Sequence, residues 1–159
     1  MTLWLYATAV WGRPDVEAVC LDLQDAHGQS PPLLLWRLWA IARRRSIDVA
    51  AIEHAVAAAR RWDHAVTGPL RASRRGLKSA LPAIAAAVRA DLHDRVGVVE
   101  LEAERALLDA LEELTPQTGE SADDRLSALV ELAAIWGAPA PIATLQRLVE
   151  ASLPSPERP

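Results

Sequence analysis

The chain has few of the residues through which secreted proteins form disulfides or carry glycans. Its 159 residues include a single cysteine and no asparagine. One cysteine cannot form an internal disulfide, and without asparagine there is no acceptor for N-linked glycosylation. The N-terminus has no basic region followed by an apolar stretch and a cleavage site, and no run of about 18 apolar residues occurs. We therefore expect a cytoplasmic protein that does not enter a membrane.

Strand-forming residues are also scarce. The sequence has no Phe and one Tyr, whereas Ala, Leu, Arg and Glu recur at helical spacing. A chain of this length is typical of one domain with a substantial core. The sequence predicts an all-α fold, a single-domain bundle of six to eight helices over residues 1–153 with a long helical hairpin. The tail, residues 154–159, should fray.

The N-terminal region carries the clearest helix signals. Arg13 and Pro14 open a helix whose apolar residues follow the i, i+3, i+4, i+7 pattern of one buried face, namely Val16, Val19, Cys20 and Leu23. Further on, Asp48 has the position of an N-cap for a helix that breaks or bends at Gly68 and Pro69.

A basic stripe follows that bend. At 100° per residue, the side chains of Arg74, Arg75 and Lys78 lie within about 60° of Arg71. Apolar residues occupy a different face of the same helix. The pattern predicts a solvent-facing basic surface that contacts another macromolecule.

Charge is divided along the chain. Residues 43–95 hold 11 Lys and Arg against 5 Asp and Glu, whereas residues 96–159 hold 4 against 12. Either these two blocks face one another within the bundle, or the basic block is a binding surface. The sequence pI near 5.6 and the lack of a recognition motif make an acidic protein surface at least as good a partner as nucleic acid. We expect a non-catalytic adaptor or regulatory protein that uses the stripe.

The long helix that ends near Leu114 has its own pattern. Its apolar residues alternate spacings of four and three, the period of a helix that lies along a partner helix: Leu92, Val96, Val99, Ala103, Ala106 and Ala110. Either residues 48–81 of the same chain or a second subunit could supply that partner. The pattern leaves the oligomeric state open.

Evidence for catalysis is weak. Cys20 lies on an apolar helix face, and His27 is seven residues away, or about 10 Å along a helix axis. The four histidines lack the spacings of zinc or di-iron sites, and no glycine-rich phosphate loop occurs. We therefore expect no catalytic residue, no metal site and no cofactor.

A pocket near Cys20 and His27 is the main alternative. Gln24 and Asp25 flank the buried face, where they either fix neighbouring N–H groups or contact a ligand. An enzyme or small-molecule-binding protein would use them with nearby tryptophans, and the candidate lining is Trp11, Cys20, Gln24, Asp25 and Trp39. A polar cavity there would favour this alternative.

Several segments in order identify a family resemblance. The N-terminal part has an aromatic residue before Arg13-Pro14, then Cys20-Leu21, Leu23-Gln24-Asp25, Gly28, Leu33 to Leu35 and Trp39. Further matches are Trp62, Pro69-Leu70-Arg71, Arg74-Arg75, Leu77-Lys78 and Glu100 to Arg105.

Together they resemble a bacterial family catalogued as domain of unknown function 2390, over about residues 3–115, with further helices predicted at about 121–151. The resemblance implies a small, helical protein without an established activity. Residues 29–32, Gln-Ser-Pro-Pro, replace a short polar run that the family usually has.

Overall fold

The fold consists of helices throughout its described part. A computed structural model describes residues 1–79, 82–116 and 124–153, and within these ranges there are eight α-helices, one π-helical segment and no strand. The α-helices are α1 Leu3–Trp11, α2 Val16–Asp25, α3 Pro31–Ala42, α4 Val49–Trp62, α5 Gly68–Lys78, α6 Ala86–Glu113, α7 Arg125–Trp136 and α8 Ile142–Ser152. This confirms the predicted all-α bundle. The predicted frayed tail, residues 154–159, lies outside the described residues.

Helix α3 lies at the centre of the core. Pro31 occupies its first turn, where a missing N–H costs no hydrogen bond, and every residue from Leu33 to Ala40 is buried. It packs against α1, α2, α4, α6 and α7. Trp36 and Trp39 contribute the largest side chains, and the Trp36 indole donates to Thr115 Oγ1 at 2.8 Å. A helix that is buried on all sides needs this many neighbours.

The predicted buried face of α2 is confirmed. Val16, Val19, Cys20 and Leu23 are each at most 1% exposed and join the central core. The face packs against α3 and α8, and Leu21 points away from it into solvent. Gln24 therefore lies at the edge of the core, half-buried, with Asp25 exposed beside it.

A π-helical segment connects α4 to α5. Asp48 caps α4 as predicted, since its Oδ1 accepts from the Ala51 N–H at 2.8 Å. The chain does not break at Gly68 and Pro69, however. Residues Asp63–Thr67 widen into a π-helix that ends with the Gly68 N–H bonded to the Asp63 carbonyl. The wider turn makes room for Pro69, which lacks an N–H and would crowd a regular helix.

Helices α5 and α6 form the predicted long hairpin. The C-terminal half of α6 packs into the bundle, with Leu107, Leu108 and Leu111 buried in the central core. Its N-terminal half has mainly α5 beside it. In the described part of the chain, no helix combines the length and apolar character needed to cross a membrane.

Candidate functional site

Two adjoining cavities lie between the N-terminal helices and the hairpin. The larger, which we call the apolar cavity, has a volume of about 350 Å³. Trp4 and Trp11 of α1, Leu35 of α3 and Leu101 and Leu108 of α6 provide its apolar walls. The smaller, the polar cavity, has a volume of about 150 Å³, and its lining includes Gln24, Gln29, Asp63, Thr67, Arg71, Arg75 and Glu104. Together they form a cleft with an apolar end and a charged end.

Four residues border both cavities: Gln24, Pro31, Pro32 and Glu104. The two prolines begin α3, and their rings give a rigid apolar wall without backbone N–H donors. Gln24 comes from the last turn of α2 and Glu104 from the middle of α6. A molecule in the apolar cavity would therefore have the Gln24 amide and the Glu104 carboxylate at its polar end.

Arg71 is the central group of the charged end. Its side chain is 16% exposed, and three carboxylates surround the guanidinium: Nε lies 3.3 Å from Glu100, Nη1 3.4 Å from Asp63 and Nη2 3.7 Å from Glu104. The Gln24 amide oxygen, in the orientation that satisfies its hydrogen bonding, accepts from Nη2 at 3.1 Å and from Nε at 3.0 Å. Arg71 thus joins α5 to α2, α6 and the π-helical segment.

Further contacts hold two of the three carboxylates, those of Glu100 and Asp63, in place. Arg74 Nε donates to Glu100 Oε2 at 2.6 Å, and the Glu100 side chain is only 8% exposed. Thr67 donates to Asp63 Oδ1 at 2.9 Å. Two guanidinium groups thus face three carboxylates, and the cluster carries one excess negative charge when all are ionised.

Glu104 is the group most affected by this arrangement. Burial, together with the neighbouring carboxylate of Glu100, raises the pKa of Glu104, and Arg71 and Arg74 oppose the shift. Desolvation disfavours the charged form of an acid, and a nearby like charge adds to that effect. A cation that enters the cleft would offset both effects, because an opposite charge favours the ionised form of the carboxylate.

The prediction of a solvent-facing basic stripe is wrong for two of its four members. Arg71 and Arg74 point at Glu100 of α6 because the acidic and basic blocks of the sequence face one another across the hairpin. Arg75 and Lys78 remain exposed, and Arg75 pairs with Asp25 at 2.7 Å, with both side chains more than half exposed.

The residues suggested for a pocket are divided between cleft and core. Trp11 and Gln24 line the apolar cavity. Cys20 and Trp39 do not, because both are buried in the central core, where the Trp39 indole donates to the Met1 carbonyl at 3.3 Å. Asp25 lies outside both linings, bound to Arg75.

Sequence reasoning did not identify Trp4, Asp63 or Glu104 as lining residues. One signal was present: Glu100 and Glu104 are four residues apart, so both carboxylates lie on one face of α6.

Cys20 has no reactive environment. Burial raises the pKa of its thiol to about 12, so the nucleophilic thiolate is scarce at neutral pH. Among the described residues, no group of three or more His, Cys, Asp or Glu side chains is arranged to hold a metal ion.

The chain belongs to a family of proteins of unknown function, DUF2390. The family model matches residues 2–111, and these include every residue that lines the two cavities apart from Trp136. No curated protein and no solved structure matches the chain.

Proposed function

We propose that this protein binds, without chemically changing it, a small organic cation that has an apolar body and an amine at one end. One observation carries the proposal: Gln24 and Glu104 border both cavities, so an apolar group beside Trp4 and Trp11 has one carboxylate and one amide next to it. Ligand sites in proteins are typically apolar clefts with a few polar groups that fix orientation. The apolar cavity, at about 350 Å³, falls within the usual size range.

The charge of the cleft supports an amine over an acid. Asp63, Glu100 and Glu104 outnumber Arg71 and Arg74, and Arg75 is already paired with Asp25. An ammonium group near Glu104 would balance the excess carboxylate, whereas a carboxylate there would add to it. The indole ring of Trp11 also attracts cations, whereas the Trp4 ring already has the Arg105 guanidinium 5.2 Å from its centroid.

The lining of the cleft supports binding over catalysis. Its described residues include neither histidine nor cysteine, so a hydroxyl such as Ser30 has no adjacent base of the usual kind. We also propose that the protein is cytoplasmic. The free, buried Cys20 is compatible with a reducing compartment.

Three ligands with the same ring test the proposal. Phenethylamine, phenylacetate and ethylbenzene differ in charge at one end, and isothermal calorimetry at neutral pH measures their affinities. We expect the amine to bind about tenfold more tightly than the acid, a difference of ~1.4 kcal/mol. Equal affinities for the amine and the acid, or no binding of the amine, would refute it.

Variants of α6 locate the site. Glu104→Gln should weaken phenethylamine binding and leave that of ethylbenzene unchanged. Glu113→Gln is the matched control, because Glu113 is an exposed carboxylate on the same helix outside both linings. Trp11→Leu should weaken the binding of all three ligands, because it removes part of the apolar wall.

A second candidate function is binding of a macromolecule through the exposed cations at the end of α5. The supporting observation is that Arg75 and Lys78 stay exposed, whereas Arg71 and Arg74 do not. The partner would be an acidic protein surface, and nucleic acid is the other outcome of the test.

Binding of polyglutamate and of single-stranded DNA can be compared across a range of salt concentrations. Replacement of both Arg75 and Lys78 by Glu should abolish a salt-sensitive interaction. Binding that resists both salt and the double substitution would rule this function out.

A further inference from the structure

One face of α6 is apolar, exposed and without a neighbour in the described part of the chain. Val88, Leu92, Val98 and Val99 are 38–59% exposed, and Arg95 and Glu102 lie among them. At 100° per residue, all six lie within about 60° of Arg95 on the helix surface. We call these six residues the α6 face. Asp91, which pairs with Arg95, lies on the same side of the helix. Exposed apolar side chains that are grouped on one side, in contrast to ones scattered singly, indicate an interaction surface.

The intrachain neighbours cover only the adjacent side of the helix. The 3.5-residue pattern predicts a long partner for α6, and residues 48–81 were one candidate. In the structure Ala103 is buried and the Trp62 indole donates to its carbonyl at 2.9 Å, so α4 takes that side. Leu92, Val99, Ala106 and Ala110, from the same pattern, remain exposed. Part of the 3.5-residue pattern on α6 is therefore not covered by any helix in the described chain.

The order of charges on the α6 face fits one particular occupant. Arg95 lies as many residues before the midpoint of Val98 and Val99 as Glu102 lies after it. If a second α6 ran antiparallel across that midpoint, each Arg95 would face a Glu102, and the valines would meet at the centre. In a parallel pair Arg95 would face Arg95 and Glu102 would face Glu102, which is repulsive.

We infer that α6 of one chain packs against α6 of a second copy of this chain, antiparallel, about a two-fold axis near Val98 and Val99. This surface is self-complementary, as a two-fold interface must be. Among the described residues of the separate chain, Arg95 forms an ion pair with Asp91 at 3.7 Å, and both side chains are exposed. An exposed pair of this kind contributes little, so Arg95 can turn to the second copy. At 28 residues α6 is about 42 Å long, which allows contact over several turns.

Sedimentation over micromolar to millimolar protein concentrations tests the inference. The wild-type chain should be a dimer at the higher concentrations. Arg95→Glu alone or Glu102→Arg alone should weaken dimerisation by about tenfold or more, because each creates two like-charge contacts. The chain carrying both substitutions should regain the wild-type affinity, because it exchanges the charges within each pair.

A mixture of the two single variants protects the test against a variant that folds poorly. On this face Arg95→Glu chains carry two acidic side chains and Glu102→Arg chains carry two basic ones. An equal mixture should therefore form a heterodimer at concentrations at which either variant by itself stays monomeric. Arg147→Glu, at an exposed position on α8, is the control and should leave dimerisation unchanged.

A wild-type chain that stays monomeric at millimolar concentration overturns the inference. So does a dimer that is indifferent to the single reversals or that the double variant fails to restore. Pairing with a helix of another protein would give the first of these outcomes.

Discussion

Arg74 and Glu100 form the shortest ion pair between α5 and α6, with Nε 2.6 Å from Oε2. Glu100 is nearly buried, at 8% side-chain exposure, so its carboxylate depends on Arg74 and Arg71 for compensation. A buried charge that loses its partner costs far more than an exposed one. The basic residues nearest α6 therefore stabilise the hairpin, and the outer ones, Arg75 and Lys78, remain exposed to solvent.

Charge reversal at neighbouring positions should show this difference. Arg74→Glu places a third carboxylate beside Glu100 and Glu104 and should lower the free energy of unfolding by ~2 kcal/mol or more. Arg75→Glu affects an exposed pair with Asp25 and should change the free energy of unfolding by less than ~1 kcal/mol. Urea denaturation followed by circular dichroism measures both.

Glu100→Gln provides the reciprocal control. It removes the buried charge, so a second substitution, Arg74→Gln, should cost less in that background than in the wild type. Equal stability of the Arg74→Glu and Arg75→Glu variants would contradict the role assigned to the Arg74–Glu100 pair.

Periodicity predicted the faces of helices well. The buried face of α2 and the N-cap at Asp48 follow from local sequence, because spacing of 3.6 residues and side-chain capping are local properties. The widened turn at Asp63–Thr67 was not predictable in this way. Gly68 and Pro69 indicated an interruption, but whether the chain breaks or widens depends on packing against α6.

The cleft could not be predicted in the same way, because it is formed by contacts between residues that are distant in sequence. Periodicity shows that Arg71 and Arg74 share a face, yet it does not show which helix lies opposite. The opposite charge blocks allowed either an exposed stripe or the internal pairing that the structure has. Trp11 and Trp39 likewise looked equivalent in the sequence, and the burial of Trp39 within α3 depends on the neighbours of that helix.

Glu104 should make stability depend on pH. Its pKa is raised in the folded protein from an ordinary value of 4.5, so the folded state holds this proton more tightly than the unfolded state. Stability from Glu104 is therefore present below pH 4.5 and is lost as pH rises through the folded pKa. Glu104→Gln removes this dependence, and its stability relative to the wild type should increase between pH 4 and pH 7.

Urea denaturation of both proteins at several pH values in that interval checks the prediction. Other carboxylates titrate there too, so the quantity to compare is the difference between variant and wild type. A difference that stays constant with pH, or changes in the opposite direction, would show that the fold does not raise the pKa of Glu104.

Cys20 should behave as a core residue. Its side chain is fully buried, and Cys20→Ala should lower the free energy of unfolding by ~1 kcal/mol through a small cavity. Phenethylamine binding should be unchanged, since Cys20 lies outside both linings. A bulky thiol reagent should react with the unfolded chain in urea and only slowly with the native protein. Rapid labelling of the native thiol would place Cys20 at an accessible site.

Two glycines of α5 should respond oppositely to the same substitution. A Cβ on Gly68 would lie 2.7 Å from the Asp63 carbonyl oxygen, which is closer than real Cβ contacts allow. Gly68→Ala must therefore displace the π-helical segment, and it should lower the free energy of unfolding by ~1–3 kcal/mol. Because Asp63 contacts Arg71, Gly68→Ala should also weaken phenethylamine binding.

At Gly76 the same substitution meets no obstacle. A Cβ there has nothing within 4 Å, and alanine is a better helix former, so Gly76→Ala should stabilise the protein by ~0.5–1 kcal/mol. Urea denaturation of the two variants gives the comparison, and a stabilised Gly68→Ala protein would mean that the turn at Asp63–Thr67 adopts a regular α-helix at no cost.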